Sequence, residues 1–212
     1  VSISLDGERE VHDAIRQPAG DAARAGSRHQ AAVRAIELLA ASPLTTAVIT
    51  QVHRRNLDSL ARMYEQLAQL GVQAWQVQIA MLLGRLLALR REYMLAPRQL
   101  AGLQARLAAL IEDGRVPISV ADNIGYYGPH EATLRGAAPG AATFWTGCLA
   151  GVRLVALRAN GDVKGCPSQP TAFVVGNVRR ASFAEIWADP RLHAYNTAWD
   201  EDLLQGGCAR CE

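Results

Sequence analysis

The residues best suited to chemistry are four cysteines, Cys148, Cys166, Cys208 and Cys211, all in the last third of the 212-residue chain. A cysteine thiolate is a nucleophile and a soft metal ligand. Cys208-Ala-Arg-Cys211 is a Cys-x-x-Cys pair, which can serve as a redox dithiol, half of a zinc site or half of an iron–sulfur site. A thioredoxin-like pair follows a strand and opens a helix. This one follows Gly206-Gly207, so the redox use is the weakest of the three. Cys148 and Cys166 stand on either side of a hairpin signal, and a tight hairpin returns the chain to its starting side, where the two sulfurs can converge. Neither pair alone completes a four-sulfur site. On spacing alone, a structural zinc ion and an iron–sulfur cluster stand level.

The elements that must position these residues fall into two groups. Val1–Leu5, Thr45–Val52, Val72–Ile79 and Val116–Val120 are β-branched and read as strands. Between them lie helical spacings. Ser27–Ala41 is one, and a second opens at Asn56, carries Leu57, Leu60, Tyr64 and Leu67, and ends at Gly71. A helical stretch follows near Leu82–Leu95, and Pro97 opens a further helix through Leu100, Leu103, Leu107 and Leu110, closed by Gly114. Alternating strands and helices imply a parallel α/β sheet, and four strands suit part of a (β/α) barrel. Asp122–Trp145 has no period and reads as a linker or bridging loop. Beyond it, Arg153–Arg158, Asn160-Gly161 and Asp162–Gly165 form the hairpin, and Ser182-Phe-Ala-Glu185 is a capping box that opens a short helix. The expected organisation is residues 1–121 as the partial barrel, 122–147 as the linker and 148–212 as a small cysteine domain.

Composition narrows the partners. The net charge is +2, and of 22 basic residues only Lys164 is a lysine, with no basic stripe interleaved with aromatics. Nucleic-acid binding is therefore not expected. No run approaches the roughly 18 apolar residues that span a bilayer, so no membrane partner is expected either. Val1–Glu10 lacks the basic and apolar regions of a signal peptide, which points to the cytoplasm, where clustered cysteines hold metal rather than form disulfides. The chain opens inside a β-branched run without an initiator methionine, so a fragment of a longer protein is expected.

The segment from Cys148 to Glu212 resembles the start of a SPASM domain. Cys148, Gly161, Cys166 and Cys208–Cys211 fall in that family's order, with four residues between Gly161 and Cys166. Asn160-Gly161-Asp162-Val163, Cys166-Pro167, Gly176-Asn177 and Ser182-Phe183 through Glu185-Ile186-Trp187 match its surrounding text. Upstream, Ser2-Ile3-Ser4-Leu5-Asp6-Gly7 with His12-Asp13 and Arg16 resembles the fourth barrel strand and following loop of radical SAM enzymes. Val48-Ile49-Thr50 with Asn56-Leu57, then Trp75-Gln76-Val77-Gln78 with Gly84-Arg85, resemble the next two strands. The family's CxxxCxxC loop and its last SPASM cysteines are not among these residues.

That resemblance implies the C-terminal half of a radical SAM barrel followed by a truncated SPASM domain, from a maturase that uses S-adenosylmethionine and 4Fe-4S clusters to modify a ribosomally made peptide or protein. It implies Ser4, Asp6, Arg16 and Gln78 at the S-adenosylmethionine or substrate site, with Arg16 facing the carboxylate of S-adenosylmethionine. It implies Cys148 and Cys166 on one auxiliary cluster and Cys208 and Cys211 on another. A reductant such as flavodoxin or ferredoxin and a leader-peptide recognition partner are implied with it. Sulfatase-maturing relatives carry an aspartate directly after the second SPASM cysteine. Pro167 stands there in this chain, so a crosslink, thioether or epimerised centre is the expected product rather than formylglycine. Without the CxxxCxxC loop these residues alone are expected to be inactive towards S-adenosylmethionine.

Blander readings apply to several of these residues. Ser4 and Asp6 can simply end a strand, Arg16 can be solvated, and Gln78 can bond within the sheet. His12 and Asp13 are expected to shape their loop, and His53, beside Arg54 and Arg55, to lie on the surface. Trp75, Trp145, Trp187 and Trp199 are read as packing residues, while Asp122, Asn123, Tyr126 and Tyr127 are candidates for a substrate channel. The alternative for the whole chain is a non-catalytic zinc or iron–sulfur interaction module, or a relative that has lost catalysis.

Overall fold

A computed structural model describes residues 1–16, 26–81, 83–121, 124, 128–136, 147–198, 200, 202 and 204–210. Asp122, Asn123, Tyr126, Tyr127, Trp145, Trp199 and Cys211 lie outside the described residues, as do the side chains of Arg85 and Cys208. The chain divides into two compact units, Val1–Trp145 and Thr146–Glu212.

In the first unit β1 (Ser2–Ser4), β2 (Ala47–Val52), β3 (Ala74–Ile79) and β4 (Ile118–Val120) form a parallel sheet in the order β1-β2-β3-β4. The connections supply α1 (Arg9–Ile15), α2 (Arg28–Ala40), α3 (Leu60–Gln69), α4 (Arg90–Tyr93) and α5 (Pro97–Asp113). Ser27 caps α2 by accepting from the Gln30 N–H at 3.2 Å, and Gly114, at φ +76°, ends α5. Helix α1 was not legible as such, although Val11 and Ile15 stand one helical turn apart. The expected helix across Leu82–Leu95 is instead a 3-10 turn, Gly84–Leu87, followed by the short α4. Gly84 adopts φ +56°, a left-handed conformation that interrupts a right-handed helix.

The two faces of this sheet differ in kind. Val48, Val52, Trp75 and Val77 are buried in one core with Ile36 of α2, Leu60, Met63, Tyr64 and Leu67 of α3, and Leu103 and Leu107 of α5. Thr50 lies among them because its hydroxyl donates to the Leu5 carbonyl at 2.6 Å and accepts from the Trp75 indole at 2.8 Å. Ile124 and Leu134, from the stretch read as a linker, join the same core. There α6 (Glu131–Leu134) keeps Glu131 buried against Arg135 at 3.0 Å. The opposite face reads differently. Register pairs Ser4 with Ile49, Ile49 with Gln76 and Gln76 with Ser119, and pairs Gln51 with Gln78. Paired residues share a face, so this one carries a row of hydroxyls and amides.

The second unit is built on a small antiparallel sheet in the order β5 (Ala156–Leu157), β6 (Asp162–Lys164), β7 (Gly176–Asn177). The expected hairpin turns through Arg158–Gly161, with the Gly161 N–H on the Arg158 carbonyl at 2.8 Å and Gly161 at φ +91°. The expected capping box opens α7 (Phe183–Ala188). Ser182 Oγ accepts from the Glu185 N–H at 3.2 Å, and Glu185 Oε2 accepts from the Ser182 N–H at 2.8 Å. A further turn of helix, α8 (Ala194–Thr197), was not anticipated. Among the described residues no helix is long and apolar enough to cross a membrane.

Candidate functional site

In the second unit, Cys148 and Cys166 are free thiols, the first exposed and the second half-buried. The segments that carry them lie side by side. A Cβ on Gly165 would stand 2.8 Å from the Gly151 nitrogen and 3.0 Å from the Ala150 carbonyl carbon, a backbone approach that only glycine permits. Hydrogen bonds then shape the loop around each thiol. The Ala150 N–H points at Cys148 Sγ from 3.4 Å. Asn196 of α8 donates to the Cys148 and Ala150 carbonyls, both at 2.7 Å. Gln169 Oε1 accepts from the Cys166 N–H at 3.1 Å and from the Tyr195 hydroxyl at 3.2 Å.

Two thiols held on adjacent loops, with Cys148 both exposed and receiving an N–H, fit half of a four-thiolate iron–sulfur or zinc site. Cys208 opens a 3-10 turn, Cys208–Arg210, but its side chain and Cys211 lie outside the described residues. Among the described residues no three His, Cys, Asp or Glu side chains gather as a metal site. His193 is buried against Gly151 and Trp187, with neither ring nitrogen hydrogen-bonded among the described residues, and burial lowers its pKa. Trp187 stacks on Phe183, a packing role as read from the sequence.

In the first unit, the ends of β1 and β2 open onto a cleft of about 280 Å³, lined by Asp6, Ala14, Ile15, Arg16, Gln51, Leu83, Leu86 and Leu89. Ligands of parallel α/β sheets bind at this end of the strands. Asp6 is 1% exposed. Its Oδ2 accepts from Arg16 Nε at 2.5 Å, and its Oδ1 accepts from the Gln51 N–H at 2.8 Å. The carboxylate is therefore committed, and its effect on the cleft passes through the Arg16 guanidinium. Arg16 is not simply solvated: its Nε is held, while among the described residues its two terminal nitrogens make no hydrogen bond. Ser4 and Gln78 stand on the hydroxyl-and-amide face, neither side chain hydrogen-bonded among the described residues. Neither lines the cleft.

Two residues around this cleft carry more than their sequence signals suggested. Asn56, read as a helix cap, is buried and ties three strand-end groups together. It accepts from the His53 N–H at 2.8 Å and donates to the Asp6 and Gln51 carbonyls at 2.8 and 2.9 Å. His53, expected on the surface, is fully buried. It packs edge-on to Tyr93 at 5.0 Å, and its Nδ1 accepts from the Arg55 N–H at 3.2 Å. Burial pushes its imidazole down to about 4. His12 shapes its loop as expected, its Nδ1 accepting from the Asp6 N–H at 3.0 Å, and Asp13 accepts from the His29 N–H at 2.7 Å.

Residues 148–212 match the family model of the SPASM domain, an iron–sulfur cluster-binding domain. The second unit thus carries an iron–sulfur-binding module found in radical SAM maturases. No curated protein matches the chain.

Proposed function

We propose that the chain is part of a radical SAM maturase acting on a ribosomally made peptide or protein, in which the parallel sheet is the later half of a partial barrel. The match of residues 148–212 to the SPASM domain carries this reading. The strand order β1-β2-β3-β4, with helices on one face and Ser, Gln and Asp groups on the other, supports it.

With S-adenosylmethionine and a reduced 4Fe-4S cluster bound, the site would be supplied with the radical chemistry that such maturases use on unactivated carbons. The residues of this chain bind and orient. Arg16, held through Nε by Asp6, presents its terminal nitrogens to the cleft, a planar fork suited to the carboxylate of S-adenosylmethionine. Ser4 and Gln78 offer hydroxyl and amide groups along the sheet face, toward S-adenosylmethionine or substrate. Cys148 and Cys166 hold one auxiliary cluster, and Cys208 and Cys211 a second. A reductant such as flavodoxin or ferredoxin and a leader-peptide recognition partner complete the proposed system, which works in the cytoplasm.

Anaerobic reconstitution of the chain with iron and sulfide, followed by metal analysis and electronic spectra, tests this. Brown protein that binds iron and loses it on Cys148→Ala or Cys166→Ala is expected. Colourless protein that takes up zinc in preference to iron would make the chain a structural metal module instead.

A further inference from the structure

Lys164 is the sole lysine of the chain, and it is 6% exposed at the end of β6. Its ammonium sits inside the turn that Cys166 opens. Nζ donates to the Pro167 carbonyl at 3.1 Å and to the Gln169 carbonyl at 2.5 Å. The turn is closed by the Gln169 N–H on the Cys166 carbonyl at 3.2 Å. A lysine has three N–H donors and a full charge, and two carbonyl dipoles leave that charge uncompensated.

Two acids of the same unit are engaged elsewhere. Asp162, two residues earlier and on the same face of β6, accepts from Asn177 at 3.0 Å and Asn160 at 2.6 Å, with Arg158 at 3.5 Å. Asp189 pairs with Arg191 at 2.7 Å. Among the described residues no carboxylate pairs with Lys164. A buried cation with no counter-ion among the described residues, two residues from a metal-binding thiol, needs a negative partner, and a thiolate-bound cluster is one.

We infer that Lys164 is the counter-charge of the auxiliary cluster held at Cys166, and so a positioning residue that raises the reduction potential of that cluster. The inference rests on the iron–sulfur reading of the second unit. Reduction adds one negative charge, and a fixed positive charge in a poorly solvated site favours the reduced form. Charge near the cluster, not only ligand identity, sets its potential.

The test is a redox titration, followed by electron paramagnetic resonance, of the 212-residue chain reconstituted with iron and sulfide. The signal of interest is the one that Cys166→Ala abolishes. Lys164→Met, nearly the same length without charge, is expected to load the cluster and to lower the reduced-to-oxidised ratio at a fixed potential about tenfold, a shift of about 59 mV for one electron. Lys164→Arg is expected to stay near the native potential. Loading of Lys164→Arg but not Lys164→Met also supports the counter-charge, since assembly then requires it. A Lys164→Met cluster at the native potential overturns the inference, as does failure of both variants to load, which would make the side chain a purely geometric clamp. Failure of the unaltered chain to take up iron overturns the reading beneath it instead.

Discussion

The carboxamide of Asn56 donates to the main-chain carbonyl of Asp6 at 2.8 Å across fifty residues of sequence. The same side chain bonds the Gln51 carbonyl and the His53 N–H, so one residue fixes the ends of β1 and β2 relative to each other. Those ends form the mouth of the cleft, where Asp6 holds Arg16.

Replacing Asn56 with alanine strands a buried N–H and deprives two carbonyls of their donor. At ~1–3 kcal/mol for an unsatisfied buried group, the expected loss is about 3 kcal/mol of unfolding free energy. Urea unfolding of Asn56→Ala against the unaltered chain measures it. An unchanged midpoint would mean that water replaces the carboxamide without cost.

His53 makes stability depend on pH. Burial holds its folded-state pKa at about 4 against an ordinary 6.5, so between these values the unfolded chain binds the proton and the folded chain does not. Stability from this group is complete above pH 6.5, falls as the pH drops toward 4, and changes no further below that. The full difference is on the order of 3 kcal/mol. Urea unfolding at pH 7 and pH 4 is expected to show a drop that His53→Leu reduces by about that amount. Burial also lowers the pKa values of His12, His29 and His193, so the variant keeps a residual slope of the same sign.

Arg16 is the residue of the cleft through which a carboxylate ligand would be felt. Removing one charge-assisted hydrogen-bonded pair costs ~1.5–3 kcal/mol, a roughly 10- to 100-fold loss of affinity. Calorimetric titration of S-adenosylmethionine into the chain is expected to show that loss for Arg16→Met. Asp6→Asn is expected to weaken binding less, because the amide oxygen can still accept from Arg16 Nε. Equal affinities for all three proteins would remove Arg16 from the site.

Much of this arrangement was legible because it is local. The Ser182 cap, the Asn160-Gly161 turn and the Gly114 helix end each depend on a few consecutive residues, and the structure reproduces them. The β-branched run Thr45–Val52 identified a strand, and the structure shows that Val48, Thr50 and Val52 form its buried face. What escaped is what long-range contact decides. His53 follows a strand and precedes two arginines, so its pattern is that of a surface turn; Tyr93, forty residues later, covers it. Asn196 and Gln169 carry no motif, and only the fold brings them to the Cys148 and Cys166 loops. The family pattern drew attention to Gly161, whereas the closest backbone approach beside the cysteines is made by Gly165.

That approach gives the sharpest contrast between two glycines. A Cβ on Gly165 would lie 2.1 Å from the Tyr195 hydroxyl, 2.8 Å from the Gly151 nitrogen and 3.0 Å from the Ala150 carbonyl carbon. Tyr195 can swing away, but the Gly151 and Ala150 contacts are backbone, so the Cys148 loop itself must move. Overpacking of this kind costs ~1–3 kcal/mol. Because the displaced loop carries Cys148, Gly165→Ala is expected to cost iron binding as well as stability. Gly102 lies exposed inside α5, and an added Cβ there meets nothing within 4 Å. Gly102→Ala is therefore expected to stabilise the chain by ~0.5–1 kcal/mol through helix propensity, with iron content unchanged. Denaturation midpoints and iron content of the two variants measured side by side decide the matter. A Gly165→Ala protein with native iron content would show that the two cysteine loops need not lie in contact to hold their metal.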